Sequence, residues 1–204
     1  MLSRAFVLAV TSLAGSSLVA LAPEPDPIPR RWQLSVDVGP LRVASVSVEG
    51  VGVRPYYFLT YKVTNATDQD LLFTPMFELG TDEGELLRSG RDVPEAVTRD
   101  ILQRLANPFI QDQTSIVGVL PQGEANAKEG VVIWPVTDAH VGEVVVYAAG
   151  FSGETRAVEF AGADGRPQKV LLRKTLMLRY PTHGELRDQG SRPIEVDEKR
   201  WIMR

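Results

Sequence analysis

The sequence predicts an all-β sandwich with one inserted helix. Three observations predict it. Segments from Trp32 to Tyr180 repeatedly alternate apolar and polar residues with period two, the mark of half-buried strands. Clusters of Asp, Gly, Asn and Pro separate about nine such segments at the spacing of an all-β fold. Only the stretch near 93–106 carries a helical period with start and stop signals. A closed barrel is the alternative, because pattern alone does not fix closure. Strands this short, divided by turns, do not suggest a parallel α/β sheet.

Residues 1–22 read as a signal peptide. Arg4 gives a positive start, an uncharged apolar run follows from Ala5, and Ala20-Leu21-Ala22 supplies the small-residue cleavage pattern. Pro23 fits poorly after a scissile bond, so a shifted cut or an uncleaved membrane anchor is the alternative. Residues 23–31 read as a linker. Pro23, Pro25, Pro27 and Pro29 deny this stretch backbone donors and favour an extended spacer, with a proline-recognition ligand as the functional alternative.

Residues 32–180 form the expected domain. Trp32, Leu34, Val36 and Val38 alternate with polar neighbours until Gly39-Pro40. In Leu41 to Val51 the apolar face switches between Val43 and Val46, which predicts a bulge near Ala44-Ser45. Tyr56 to Asn65 is the clearest strand, with Tyr57, Leu59, Tyr61 and Val63 on one face. Leu71 to Leu79 and Glu85 to Arg88 flank the turn Thr81-Asp82-Glu83-Gly84, a hairpin signature. The helix starts at Asp92-Val93-Pro94-Glu95, a capping-box arrangement, and stops at Asn107-Pro108. Val97, Ile101 and Leu105 make its apolar stripe, expected to close an end or edge of the sheets. Glu95–Arg99 and Asp100–Arg104 are spaced to pair on its wet side. Ser115 to Leu120, Val131 to Trp134, Val144 to Ala149, Thr155 to Phe160 and Lys169 to Tyr180 complete the strands. The nearly all-apolar Val144 to Ala149 is expected to be central, and Ala163-Asp164-Gly165-Arg166 to be a hairpin turn. Residues 181–204 read as a polar C-terminal tail.

The 204 residues carry 22 Lys plus Arg and 26 Asp plus Glu, for a net charge of −4. With 44% apolar and 24% charged residues, this is the composition of a folded domain. The acidic balance without a basic block argues against nucleic acid as a partner. The chain has no Cys, which closes disulfide, thiolate and Cys-ligated metal chemistry. The two His, His140 and His183, sit in loop contexts, and neither shows a metal-binding spacing. A nucleophile elbow and a phosphate-binding glycine loop are both missing.

Two constellations remain. Asp68 and Asp70 in one turn, and Asp82, Glu83 and Glu85 in another, offer oxygen donors of the kind Ca²⁺ takes, although turns enrich acids for backbone reasons alone. Tyr56 and Phe58 share the strand face opposite Tyr57 and Tyr61. An aromatic pair there suits a peptide or glycan, or packs under the helix.

Phe58-Leu59-Thr60-Tyr61-Lys62-Val63-Thr64-Asn65 with Asp68 and Asp70 resembles the strand-and-turn of extracytoplasmic immunoglobulin-like modules. Gln122 to Gly130 leading into Val131-Val132-Ile133-Trp134 is similar to a segment of uncharacterised exported bacterial proteins. The resemblance implies an immunoglobulin-like β-sandwich and brings no active site with it.

Together these readings set the expectations. The protein is an exported, periplasmic or extracellular, non-catalytic module that binds a protein or glycan of the cell envelope and needs no cofactor. The alternatives are a Ca²⁺- or carbohydrate-binding module and, behind it, a hydrolase.

Overall fold

The computed structural model describes residues 22–28, 31–162, 165–182 and 192–204. The signal-peptide reading therefore lies, apart from Ala22, outside the described residues, as do His183 and the turn residues 163 and 164. In chain order the first strands are β1 (Ser35–Val38), β2 (Arg42–Val48), β3 (Gly52–Thr64), β4 (Leu71–Phe73), β5 (Met76–Thr81) and β6 (Leu86–Arg88). The helix α1 (Glu95–Leu105) follows. Then come β7 (Ile110–Gln111), β8 (Gly118–Leu120), β9 (Lys128–Pro135), β10 (Glu143–Ala149), β11 (Thr155–Ala161), β12 (Pro167–Pro181) and β13 (Glu198–Met203). The protein is thus all-β with one helix, as expected, with thirteen strands among the described residues rather than about nine.

Two main sheets and one small one carry these strands. In the five-stranded sheet β3 is flanked on one edge by β1 and β2 and on the other by β9, and β7 closes it with a short parallel pairing. In the six-stranded sheet the order is β11-β12-β10-β5-β6, with β13 also on β12, while β4 and β8 pair by themselves. Val36, Val43, Tyr57, Leu59, Tyr61, Val132 and Trp134 of one sheet share a hydrophobic cluster with Phe77, Leu79, Val144, Val146, Leu176, Leu178 and Tyr180 of the other. Removing these side chains from water is the main favourable contribution to folding. β10 sits between β5 and β12, in keeping with its apolar sequence.

β1 and β2 are one edge broken by a bulge. Between the pairs Val38↔Tyr61 and Arg42↔Phe58, three residues, Gly39 to Leu41, face two, Leu59 and Thr60. The extra residue reverses the inward parity, from Leu34 and Val36 before it to Leu41 and Val43 after it. The predicted bulge near Ala44-Ser45 is absent, because register runs unbroken from Arg42 to Val48. The sequence switched faces there because β2 is buried on both sides. Val43 faces the main core, whereas Ala44 and Val46 face a second cluster.

That second cluster is the helix seat. Val97 and Ile101 of α1 pack on Ala44, Val46, Tyr56, Val131 and Ile133. The helix therefore covers the outer face of the five-stranded sheet, not an end or edge of it. Glu95–Arg99 and Asp100–Arg104 pair as the spacing predicts, at 2.7 and 2.6 Å. The capping box does not form. Pro94 is the N-cap, without a side-chain cap bond, and Asp92, two residues before it, adopts a left-handed φ of 59°.

Three further expectations change. Thr74-Pro75 splits the apolar run 71–79 into β4 and β5, since a proline ring cannot donate to a ladder. Gly118 to Leu120 alone forms the strand foreseen over 115–120. The segment read as a polar tail returns to the sheet as β13, in register with Lys174 to Arg179 of β12. Trp201 packs against the main core, and Lys199 donates to the Val36 carbonyl at 2.9 Å.

Candidate functional site

A concavity lies beside α1, on the outer face of the five-stranded sheet, with a volume of about 1150 Å³. Strand alternation builds its floor. Phe58 and Thr60 of β3 point outward, and Arg42 of β2 lies directly opposite Phe58. Arg54 and Pro55 extend the floor along β3, Arg104 and Leu105 of α1 form one wall, and residues 136–140 form the other. The helix covers the adjoining Ala44 and Tyr56 and stops short of Phe58, which leaves a half-buried aromatic ring in a groove.

Charge in the groove is mostly positive. Arg104 is occupied by Asp100 and by the Ser45 carbonyl at 3.0 Å. Among the described residues Arg42 and Arg54 make no ion pair. Asp138 accepts the His140 N–H at 2.8 Å and lies 3.2 Å from its Nδ1. These bonds hold the Asp138 carboxyl below the ordinary carboxylate value, the backbone N–H contributing most. His140 is an exposed loop residue, as its sequence context predicts.

The two aromatic candidates are thus separated. Tyr56 is 5% exposed and belongs to the helix seat, so it is not available to a partner. Phe58 packs partly on that cluster and lines the groove.

The acidic candidates are dispersed. Asp70 accepts the Gln122 N–H at 3.3 Å, and Asp82 accepts the Gly142 N–H at 3.0 Å. Glu85 accepts the Thr137 hydroxyl, while Asp68 and Glu83 are exposed at their turns. Each bonded carboxylate ties its turn to a neighbouring loop. Among the described residues no three or more His, Asp or Glu side chains form a group that could hold a metal ion.

Asn65, at the close of the aromatic strand, is fully buried. Its amide donates to the Gln69 and Leu120 carbonyls at 2.8 and 2.9 Å, and its oxygen accepts the Thr67 N–H and hydroxyl. Asn65-Ala66-Thr67 fits a glycosylation sequon, but the amide nitrogen is already bonded inside the fold.

The sequence reading missed Arg42, Arg54, Thr60 and Arg104. A signal for two of them existed. A β2–β3 hairpin turning at Glu49 to Val51 places Arg42 across from Phe58 and Arg54 on the same face.

Comparison with protein-family models, curated proteins and solved structures finds no match to the chain. Among the described residues no helix is long and apolar enough to cross a membrane.

Proposed function

We propose that the protein is an exported, non-catalytic binding module on an immunoglobulin-like β-sandwich, and that it docks an acidic envelope or extracellular partner in the groove beside α1. The two apposed sheets with one shared core support the sandwich reading. Arg4, the apolar run and Ala20-Leu21-Ala22 support export. One observation carries the binding role: an aromatic ring, Phe58, lies in a groove also lined by two arginines, Arg42 and Arg54, that no carboxylate of the described residues neutralises. Aromatic and Arg side chains are the residues that anchor protein interfaces. Arginine also meets carboxylates through a planar fork.

The test is co-sedimentation with isolated cell envelopes at low and high salt. The wild-type chain is expected to sediment at low salt, and Arg42→Glu with Arg54→Glu to abolish this while leaving Tm within a few degrees. Equal sedimentation of both proteins would remove the groove from the reading. An enzymatic turnover lost on a single point substitution would overturn the non-catalytic part.

A further inference from the structure

The segment after position 22 is a docked strap, where the sequence suggested an extended spacer. Pro23, Pro25 and Asp26 are half-buried, while Glu24, Pro27 and Ile28 point to solvent. The contacts converge on Asp26. Its N–H donates to Glu154 Oε1 at 2.9 Å, its carboxylate meets Arg156 at 3.2 Å, and its carbonyl lies 3.5 Å from Lys174 Nζ.

The floor under Asp26 is costly to build. Lys174 and Glu154 are only 3% and 6% exposed and form an ion pair of 2.9 Å. Buried charges of this kind persist only where further hydrogen bonds satisfy them. One such bond comes from Asp26. The Lys174 ammonium also sits 5.7 Å from the Trp201 ring. A cavity of about 680 Å³ runs between the strap and this floor, bordered by Gln33, Arg200, Trp201 and Ile202.

The strap chemistry suits the floor. Proline has no N–H, so in Pro25-Asp26-Pro27 the Asp26 N–H is the only backbone donor, and Glu154 takes it. Proline also presets the extended conformation, which lowers the entropy lost on docking. Main-chain bonding to Asp26, together with Arg156 on its carboxylate, selects an acid at this position, and the flanking prolines hold it extended.

We infer that Glu154, Arg156, Lys174 and Trp201 form a peptide-recognition site for an extended Pro-Asp-Pro segment, occupied here by residues 22–28 and open to the same motif from another polypeptide. The site lies apart from the groove beside α1 and does not depend on it. The internal segment competes at high effective concentration, so the intact protein resists external peptide.

The test uses the full chain and a labelled synthetic peptide of residues 22–28. The variant Pro25→Gly/Asp26→Gly/Pro27→Gly is expected to bind the peptide at least about tenfold more tightly than the wild type. A peptide with Asp26→Ala, or the addition of Arg156→Ala to that variant, is expected to lose the gain. Equal binding of both peptides, or no binding by a variant with native circular dichroism, overturns the inference. Hydrogen exchange at the Asp26 amide gives a second readout that needs no strap variant. Protection in the wild type that falls on Arg156→Ala supports the site, and an unprotected wild-type amide refutes it.

Discussion

Gly130 of β9 lies directly opposite Tyr61 of β3, and the Tyr61 ring fills the space where a side chain at 130 would begin. A Cβ on Gly130 would come within 2.6 Å of Tyr61 Cζ and 2.7 Å of Ile116 Cδ1. The ring is fixed on its other side, 4.8 Å from Phe77 and 5.8 Å from Phe151 between centroids. Gly130→Ala is therefore expected to destabilise the protein by about 1–3 kcal/mol through overpacking. A urea midpoint unchanged from the wild type would show that the ring can yield.

Tyr61→Phe should behave in the opposite way. Among the described residues the buried Tyr61 hydroxyl has no hydrogen-bond partner. Removing it deletes an unmet polar group and keeps the packing, so stability is expected to hold or rise by up to about 1 kcal/mol. A loss of more than that in chemical denaturation would reveal a partner for the oxygen.

The phenols also set an alkaline limit. Burial raises Tyr57, Tyr61 and Tyr180 above the ordinary value of 10.0, and nearby Asp138, Glu85 and Asp82 add to the shift at Tyr57. These groups favour the folded state fully below the unfolded phenol value. Their contribution is lost as pH rises through and beyond it, because only the unfolded chain can release the protons. Absorbance at alkaline pH is expected to show these three tyrosines ionising only together with loss of near-ultraviolet dichroism. Ionisation well before unfolding would contradict their burial.

The ion pair under the strap gives an acid limit of the opposite sign. Burial alone would raise the Glu154 carboxyl, but the Asp26 N–H, Lys174 and Arg156 outweigh it and hold the group below its usual value. Its contribution is complete above the unfolded carboxyl value and disappears as pH falls through the depressed folded one. Lys174→Met leaves Glu154 buried without its cation, so a loss on the order of 3–5 kcal/mol is expected. Glu154→Gln on that background should recover part of it. Denaturant titrations at neutral pH and at pH 3 separate the cases, since the deficit of Lys174→Met against the wild type should shrink in acid, where Glu154 is protonated and no longer needs its cation.

Asn65→Ala removes both donors that meet the Gln69 and Leu120 carbonyls and the acceptor that meets Thr67. A loss on the order of 2–3 kcal/mol is expected. Thermal melting of this variant and of Thr67→Val, which removes only the hydroxyl, should rank Asn65→Ala as much the worse.

How much of this was legible follows from how local each cause is. Tyr57, Leu59, Tyr61 and Val63 alternate within one strand, and Val97 and Ile101 recur within one helix, so both could be read directly. The β5–β6 hairpin was legible from its own turn. The bulge was misplaced because Ala44 and Val46 answer to a helix some fifty residues further on. β13 was hidden because Glu198, Lys199 and Arg200 give no apolar alternation, and only pairing with β12 makes them a strand. Lys174 stood in plain view as a charge at an inward position of an apolar run. Its partner Glu154 and the strap that covers both become visible only in three dimensions.

β11 and residues 167–172 of β12 pair with each other and, among the described residues, with no other strand. Their side chains are mostly open to water, including Phe160, Val170 and Leu171 at 45, 40 and 58% exposure. A two-stranded ribbon has little stability of its own. This arm is therefore expected to form a separate cooperative unit. Its amides should exchange, and a protease should cut it, before the core opens.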